Sequence, residues 1–240
     1  MIAVSVAIER EWQIVLQHYD INEKDCRDYP FGCFFQSRLQ GEEVLFYLTG
    51  TRKTNASAAT QYIIDHFHPG KVIIMGTCAG IDPGYKIRDI FLPCRAVQVD
   101  TTVKEIDRLV REEFTVEVDL SPYDFHYETG IIGSGDKAVV IWKDYLELRD
   151  HGITIADTES ASIAYVCQKN GISFVIIRGI SDFPHDISYE EASDTNSIQI
   201  RNYLCNVPPV IEKILSQYLE KIILAGRSCD QKQPPGGHAG

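Results

Sequence analysis

Three acidic residues far apart in the chain, Glu11, Glu159 and Asp182, each stand beside small or hydroxyl-bearing neighbours where an apolar run gives out. Their settings are Glu9-Arg10-Glu11, Asp157-Thr158-Glu159-Ser160 and Ser181-Asp182. Thr49-Gly50-Thr51-Arg52-Lys53, Gly76-Thr77-Cys78 and Ser134-Gly135-Asp136 close further runs. Carboxylates in such company can accept hydrogen bonds from sugar hydroxyls, take a proton from water, or give one to a leaving group, which is glycosidic-bond chemistry in outline. Other chemistries lack their signatures. There is no GxxxxGK(S/T), no GxGxxG after a strand, no GxSxG and no HExxH, which demotes P-loop NTPases, dinucleotide oxidoreductases, serine hydrolases and zincins. On local grounds alone each acid also has a plain reading: Glu11 as a solvated charge on a first helical turn, Glu159 as a helix-start carboxylate, Asp182 as a turn residue.

The elements that must position these residues follow from the hydropathy pattern. Residues 2–7 form a short β-branched apolar run that suits a strand buried on both faces, followed by helical spacing of Trp12, Val15 and Leu16. Residues 31–39 and 44–48 pair as strands around Gln40-Gly41-Glu42. Residues 54–67 are helical until Pro69-Gly70, and 72–75 are a strand that breaks into Gly76-Thr77-Cys78-Ala79-Gly80. Extended segments at 90–93, 96–99, 129–132 and 173–177 alternate with helices at 143–149 and 160–168. A last helical stretch, 196–224, is broken at Pro208-Pro209. Strands alternating with helices predict an α/β fold, a single-domain mixed sheet with helices on both faces. The domain spans 1–226, and 227–240 form a disordered tail. Ligands of such sheets sit beyond the carboxyl ends of the strands, where the polar residues above collect.

Composition narrows the partners. The 240 residues are 44% hydrophobic and 24% charged, with 23 Lys plus Arg against 34 Asp plus Glu and a formal net charge of -11. That balance excludes the basic footprint a nucleic-acid backbone requires, while a small anion held by a few local charges remains open. No apolar stretch approaches the roughly 20 residues that span a bilayer. The seven cysteines are scattered without a CxxC pair or zinc spacing. They read as free thiols of a cytoplasmic protein with no metal and no cofactor.

The ordered set resembles the purine nucleoside phosphorylase/uridine phosphorylase superfamily, closest to its 5′-methylthioadenosine/S-adenosylhomocysteine nucleosidase branch. The likeness covers roughly residues 2–182. It rests on Ala7-Ile8-Glu9-Arg10-Glu11, Thr49-Gly50-Thr51-Arg52-Lys53-Thr54-Asn55-Ala56, Gly76-Thr77-Cys78-Ala79-Gly80, Ile87-Arg88-Asp89-Ile90, Ser134-Gly135-Asp136, Asp157-Thr158-Glu159-Ser160 and Ile177-Arg178-Gly179-Ile180-Ser181-Asp182. The resemblance implies a phosphorylase/hydrolase-like fold and hydrolysis of a purine nucleoside, adenine first among the bases, to free base and pentose. In it Asp182 is the acid at purine N7, Ser181 orients that acid, and Glu11 polarises the attacking water. Glu159 bonds the ribose hydroxyls, Thr77 and Thr158 join it in binding substrate, and the Ala138-Val139 backbone reads the base. The family's phosphorylases carry a glycine- and arginine-rich phosphate loop near the N-terminus, which Ile8-Glu9-Arg10-Glu11 is not. Phosphorolysis and a non-catalytic nucleoside-binding role are the alternatives. A purine nucleoside or nucleotide is the implied small-molecule partner and a homodimer the implied assembly, with 101–127 the place for an interface or lid. Thr158 stands where these nucleosidases usually carry methionine, and Arg52 and Arg88 where the family usually has glycine. Arg10, Arg52 or Lys53 turned to the pocket would bind a substrate phosphate or carboxylate; turned away, they make surface contacts.

Overall fold

The computed structural model describes residues 1–100, 113–137, 142–184 and 198–225; the tail 227–240 lies outside them, as do 101–112 and the stretch that includes His185. Among the described residues, eleven strands form one sheet: β1 (Ile2–Val6), β2 (Arg27–Tyr29), β3 (Gly32–Leu39), β4 (Glu42–Leu48), β5 (Lys71–Gly80), β6 (Ile90–Phe91), β7 (Arg95–Gln98), β8 (Thr115–Glu117), β9 (Ile131–Ser134), β10 (Ile155–Asp157) and β11 (Ser173–Asp182). The helices are α1 (Glu9–His18), α2 (Lys53–Phe67), α3 (Trp142–Asp150), α4 (Ser160–Lys169), α5 (Ile198–Ile214) and α6 (Glu220–Ala225). β1 lies parallel between β4 and β5, and β5 runs parallel to β11 on its other side. The sheet is mixed, since β3 pairs antiparallel with both β2 and β4.

Alternation along the central strands makes two cores. Ile2, Val4 and Val6 of β1 join Ile73 and Met75 of β5 under α1 and α5, where Trp12, Val15, Val210 and Ile214 meet them. Ala3, Val72 and Ile74 point the other way, onto Ala56, Ala59 and Ile63 of α2 and Ala161 and Ala164 of α4. Period-two side chains on strands buried from both sides therefore require helices on both faces. None of the described helices is long and apolar enough to cross a membrane.

Three local expectations are corrected. β5 does not break at Gly76 but continues to Gly80, because its last residues keep a partner strand, β11 from Gly76 to Ala79 and β10 at Ala79 and Gly80. β11 likewise runs on to Asp182, with a register shift between Ile180 and Asp182. Bulges of this kind re-aim side chains at sheet ends, and this one falls at Ser181. Pro208 and Pro209 do not break α5, which continues through both to Ile214. Proline removes a helical donor and so frees the carbonyl four residues earlier. Arg10 Nη2 donates to that carbonyl, Leu204 O, at 3.1 Å, which compensates the loss and ties α1 to α5. α5 seats tightly on β11 because Gly179 has no Cβ; one there would lie 2.4 Å from Val210 Cγ1.

Candidate active site

At the carboxyl end of β1 the chain turns into α1, whose first turn leaves Glu9 and Arg10 exposed and buries Glu11 completely. Its Oε1 accepts two hydrogen bonds from the end of β5, the Thr77 N–H and the Thr77 hydroxyl, each at 2.7 Å. Its Oε2 has no donor among the described residues. Burial pushes the carboxyl up to about 7, against the pull of Arg178 and the two Thr77 bonds. A solvated first-turn charge is thus excluded.

Arg178, in the middle of β11, is the buried cation around which the acids gather. Nε donates to Ser160 Oγ at 2.9 Å, Nη1 to Thr77 O at 3.3 Å, and Nη2 pairs with Asp157 Oδ2 at 2.8 Å. Gly76 makes this possible, for a Cβ there would meet Arg178 Nη1 at 2.0 Å. Asp157, at the end of β10, is held by the Ser134 hydroxyl and by the Ser160 N–H. A buried pair survives desolvation only with such a full set of partners.

Glu159 precedes α4, yet its side chain does not cap that helix. It points to α2 and the pocket, where Oε1 accepts the Arg52 N–H at 2.9 Å and the Thr158 hydroxyl. Burial, then the neighbouring Asp157, raise its proton affinity, and Arg178 and the two donors only partly oppose them. A helix-start dipole that simply favours the anion therefore does not describe this carboxylate. Arg52 reaches Glu159 through its backbone because it takes φ +78 and ψ 159, where glycine belongs. Arg88 has φ +74. At both positions the backbone takes a positive φ that glycine adopts without strain. Strain at such a φ, ψ costs about 1–3 kcal/mol, more than one exposed hydrogen bond returns. Arg52→Gly is therefore expected to stabilise the protein by about 1 kcal/mol in chemical denaturation; a loss of stability instead would show that the guanidinium contact to Asp136 O dominates.

Asp182 closes the site. Oδ1 accepts the Ser181 hydroxyl at 2.7 Å and Oδ2 the Gln199 amide at 3.0 Å. Ser181 Oγ also lies 3.2 Å from Cys78 O, and the Asn206 amide holds the Ser181 carbonyl at 3.1 Å. Thr77, Thr158, Glu159, Ser181 and Asp182 line one pocket, roofed by Gln199 and Tyr203 of α5. Glu11 stands one layer behind Thr77 rather than in the wall. The Tyr203 hydroxyl, held protonated by burial, lies in the combined field of Glu11, Asp182 and Glu159. Ala138 and Val139 lie outside the described residues.

Arg10, Arg52 and Lys53 turn away from the pocket. They bond Leu204 O, Asp136 O and Asp100, and Lys137 pairs with Asp144 at 2.6 Å. The sequence motifs that contain Arg178 and Asp157 assign neither a role, and Gln199 and Tyr203 lie outside those motifs. The signal for the last two was present: Gln199, Tyr203 and Asn206 recur at helical spacing on the face that continues into apolar Val210.

A family model described as the phosphorylase superfamily matches residues 1–215. A 5′-methylthioadenosine/S-adenosylhomocysteine nucleosidase from Psychromonas ingrahamii is 29% identical over 213 residues, covering 80% of this chain and 86% of the relative. The fold is similar to that of the Neisseria meningitidis 5′-methylthioadenosine/S-adenosylhomocysteine nucleosidase in complex with methylthio-immucillin-A, with a TM-score of 0.73 at 23% identity over 92% of this chain and 97% of that one. Futalosine hydrolase of Helicobacter pylori is similar to the same degree, with a TM-score of 0.73 at 20% identity over 95% and 97%.

Proposed function

The chain belongs to the phosphorylase superfamily, and we propose that within it this protein is a nucleosidase, hydrolysing the N-glycosidic bond of a purine nucleoside to free base and pentose. The observation that carries this choice is the charge of the pocket wall. Asp157, Glu159 and Asp182 line it, and among the described residues no lysine or arginine does. Arg178 is turned to Asp157 and Ser160 behind the wall. A phosphate dianion would meet carboxylates without a charge-assisted partner, whereas a neutral nucleoside and water carry no such penalty.

The chemistry follows from the positions of the groups. Glu159 accepts hydrogen bonds from the sugar. Asp182, its carboxyl plane held by Ser181 and Gln199, gives its proton to purine N7 as the bond to the anomeric carbon breaks. Water adds to the oxocarbenium-like sugar and yields its proton to the Thr77 hydroxyl in the pocket wall, which passes its own proton to Glu11 Oε1 behind it. Thr77, between Glu11 and the pocket, and Arg178 hold the base in place. With this reading go a homodimer and a cytoplasmic location; the thiols among the described residues are free.

The test is a product assay on purine ribonucleosides and nucleotides, with and without inorganic phosphate. Free base and free pentose are expected at a rate that phosphate does not change, with nucleosides preferred to their 5′-phosphates. Strict phosphate dependence with pentose 1-phosphate as product selects a phosphorylase instead. Nucleoside binding without turnover selects the non-catalytic role.

A further inference from the structure

Glu159 does not offer its two oxygens equally. Oε1 already accepts two donors, the Arg52 N–H at 2.9 Å and the Thr158 hydroxyl. Oε2 has no donor among the described residues, and Glu159 lines the pocket. A carboxylate grips a vicinal diol best when each oxygen takes one hydroxyl. Here the second oxygen is satisfied by the protein itself before any sugar arrives. We propose that Thr158 is a specificity-determining residue that commits Glu159 to a single sugar hydroxyl, so that the pocket accepts purine nucleosides whose pentose lacks one hydroxyl of the 2′,3′ pair as well as ribonucleosides.

The physical reason lies in what a missing hydroxyl leaves behind. A site rejects an analogue strongly when the lost group strands a buried polar atom without a partner. With Oε1 held by Thr158 and Arg52, the absent hydroxyl strands nothing. Selectivity then falls to the one hydroxyl that Oε2 takes, and the deoxy sugar that keeps that hydroxyl is retained. Valine at position 158 has the same shape without the donor, so it opens a position on Oε1 and restores a two-oxygen grip. Serine keeps the donor.

This inference rests on the proposed role of Glu159 at the sugar, and its test separates the two. kcat/KM is measured for a purine ribonucleoside and its 2′-deoxy and 3′-deoxy analogues, in the wild type, Thr158→Val and Thr158→Ser. The wild type is expected to prefer the ribonucleoside over the better of the two deoxy analogues by less than about tenfold. Thr158→Val is expected to widen that preference by about tenfold, while Thr158→Ser keeps the wild-type ratio. Wild-type discrimination of about a hundredfold or more against both analogues overturns the inference, as does an unchanged ratio in Thr158→Val. The same ratios are read by equilibrium binding to Asp182→Asn protein. If no nucleoside is hydrolysed by the wild type, the nucleosidase reading fails while these binding ratios still decide the role of Thr158.

Discussion

Asp182→Asn is expected to lower kcat for purine nucleoside hydrolysis by about 10³-fold, within the range that positioned acids contribute, and to leave KM close to the wild-type value. The substitution keeps the shape of the side chain and removes only the acidic proton. Its surroundings can accept an amide. Asparagine Oδ1 takes the Gln199 N–H that Asp182 Oδ2 now accepts, and Ser181 can turn its hydroxyl to Cys78 O, 3.2 Å away, while accepting from the new amide. Among the bonds to Ser181, Gln199 and Cys78 no buried donor is stranded, so the folded state should persist and circular dichroism should match the wild type. Steady-state assays of base release provide the measurement. A fall of less than about tenfold would mean that the leaving purine needs no acid from this residue, and the mechanism would have to be redrawn around another group.

Glu11→Gln is expected to reduce kcat by about 10²-fold and to change the pH profile. Wild-type kcat/KM should climb as Glu11 loses its proton, through a midpoint near its pKa of about 7, because only the ionised carboxylate can receive the water's proton through Thr77. Glutamine still accepts both Thr77 bonds through Oε1 but has no such ionisation, so the climb should vanish from what activity remains. The sign for stability is the reverse of the usual acid case. The folded carboxyl holds its proton more tightly than the unfolded chain, whose value is near 4.5, so wild-type stability should decline as pH rises from there through about 7. The variant lacks that decline. A wild-type profile without an ascending limb near neutrality, or one that Glu11→Gln leaves intact, would remove Glu11 from the proton path.

Much of the architecture was legible in the chain itself. The apolar run of β1, the alternation of Val72, Ile73, Ile74 and Met75, and the alanines of α2 determine strands covered from both sides, because period and burial are local properties of a sequence. The ordered motifs that carry the family resemblance named Thr77, Thr158, Glu159, Ser181 and Asp182, and these do line one pocket. Helix and strand ends were less legible. Gly76 and Pro208 carry local breaking signals that distant partners override: β11 along β5, and Arg10 on the carbonyl that Pro208 releases.

What only the tertiary structure decided is the pairing of charges. Glu11 has the local appearance of a solvated residue, and nothing within four residues of it reveals that Thr77 and Arg178 stand over it. Arg52, Lys53 and Arg10 looked equally able to serve the pocket, yet each finds its acceptor elsewhere. Arg178, silent in the linear reading, holds the acids together because Gly76 and the distant pair Asp157 and Ser160, from two different segments, leave a space of its shape. Residue order dictates which backbone forms where, since that depends on near neighbours. Proton affinity and charge compensation depend on burial and on atoms within a few ångströms, and those distances exist only once the strands have been brought side by side.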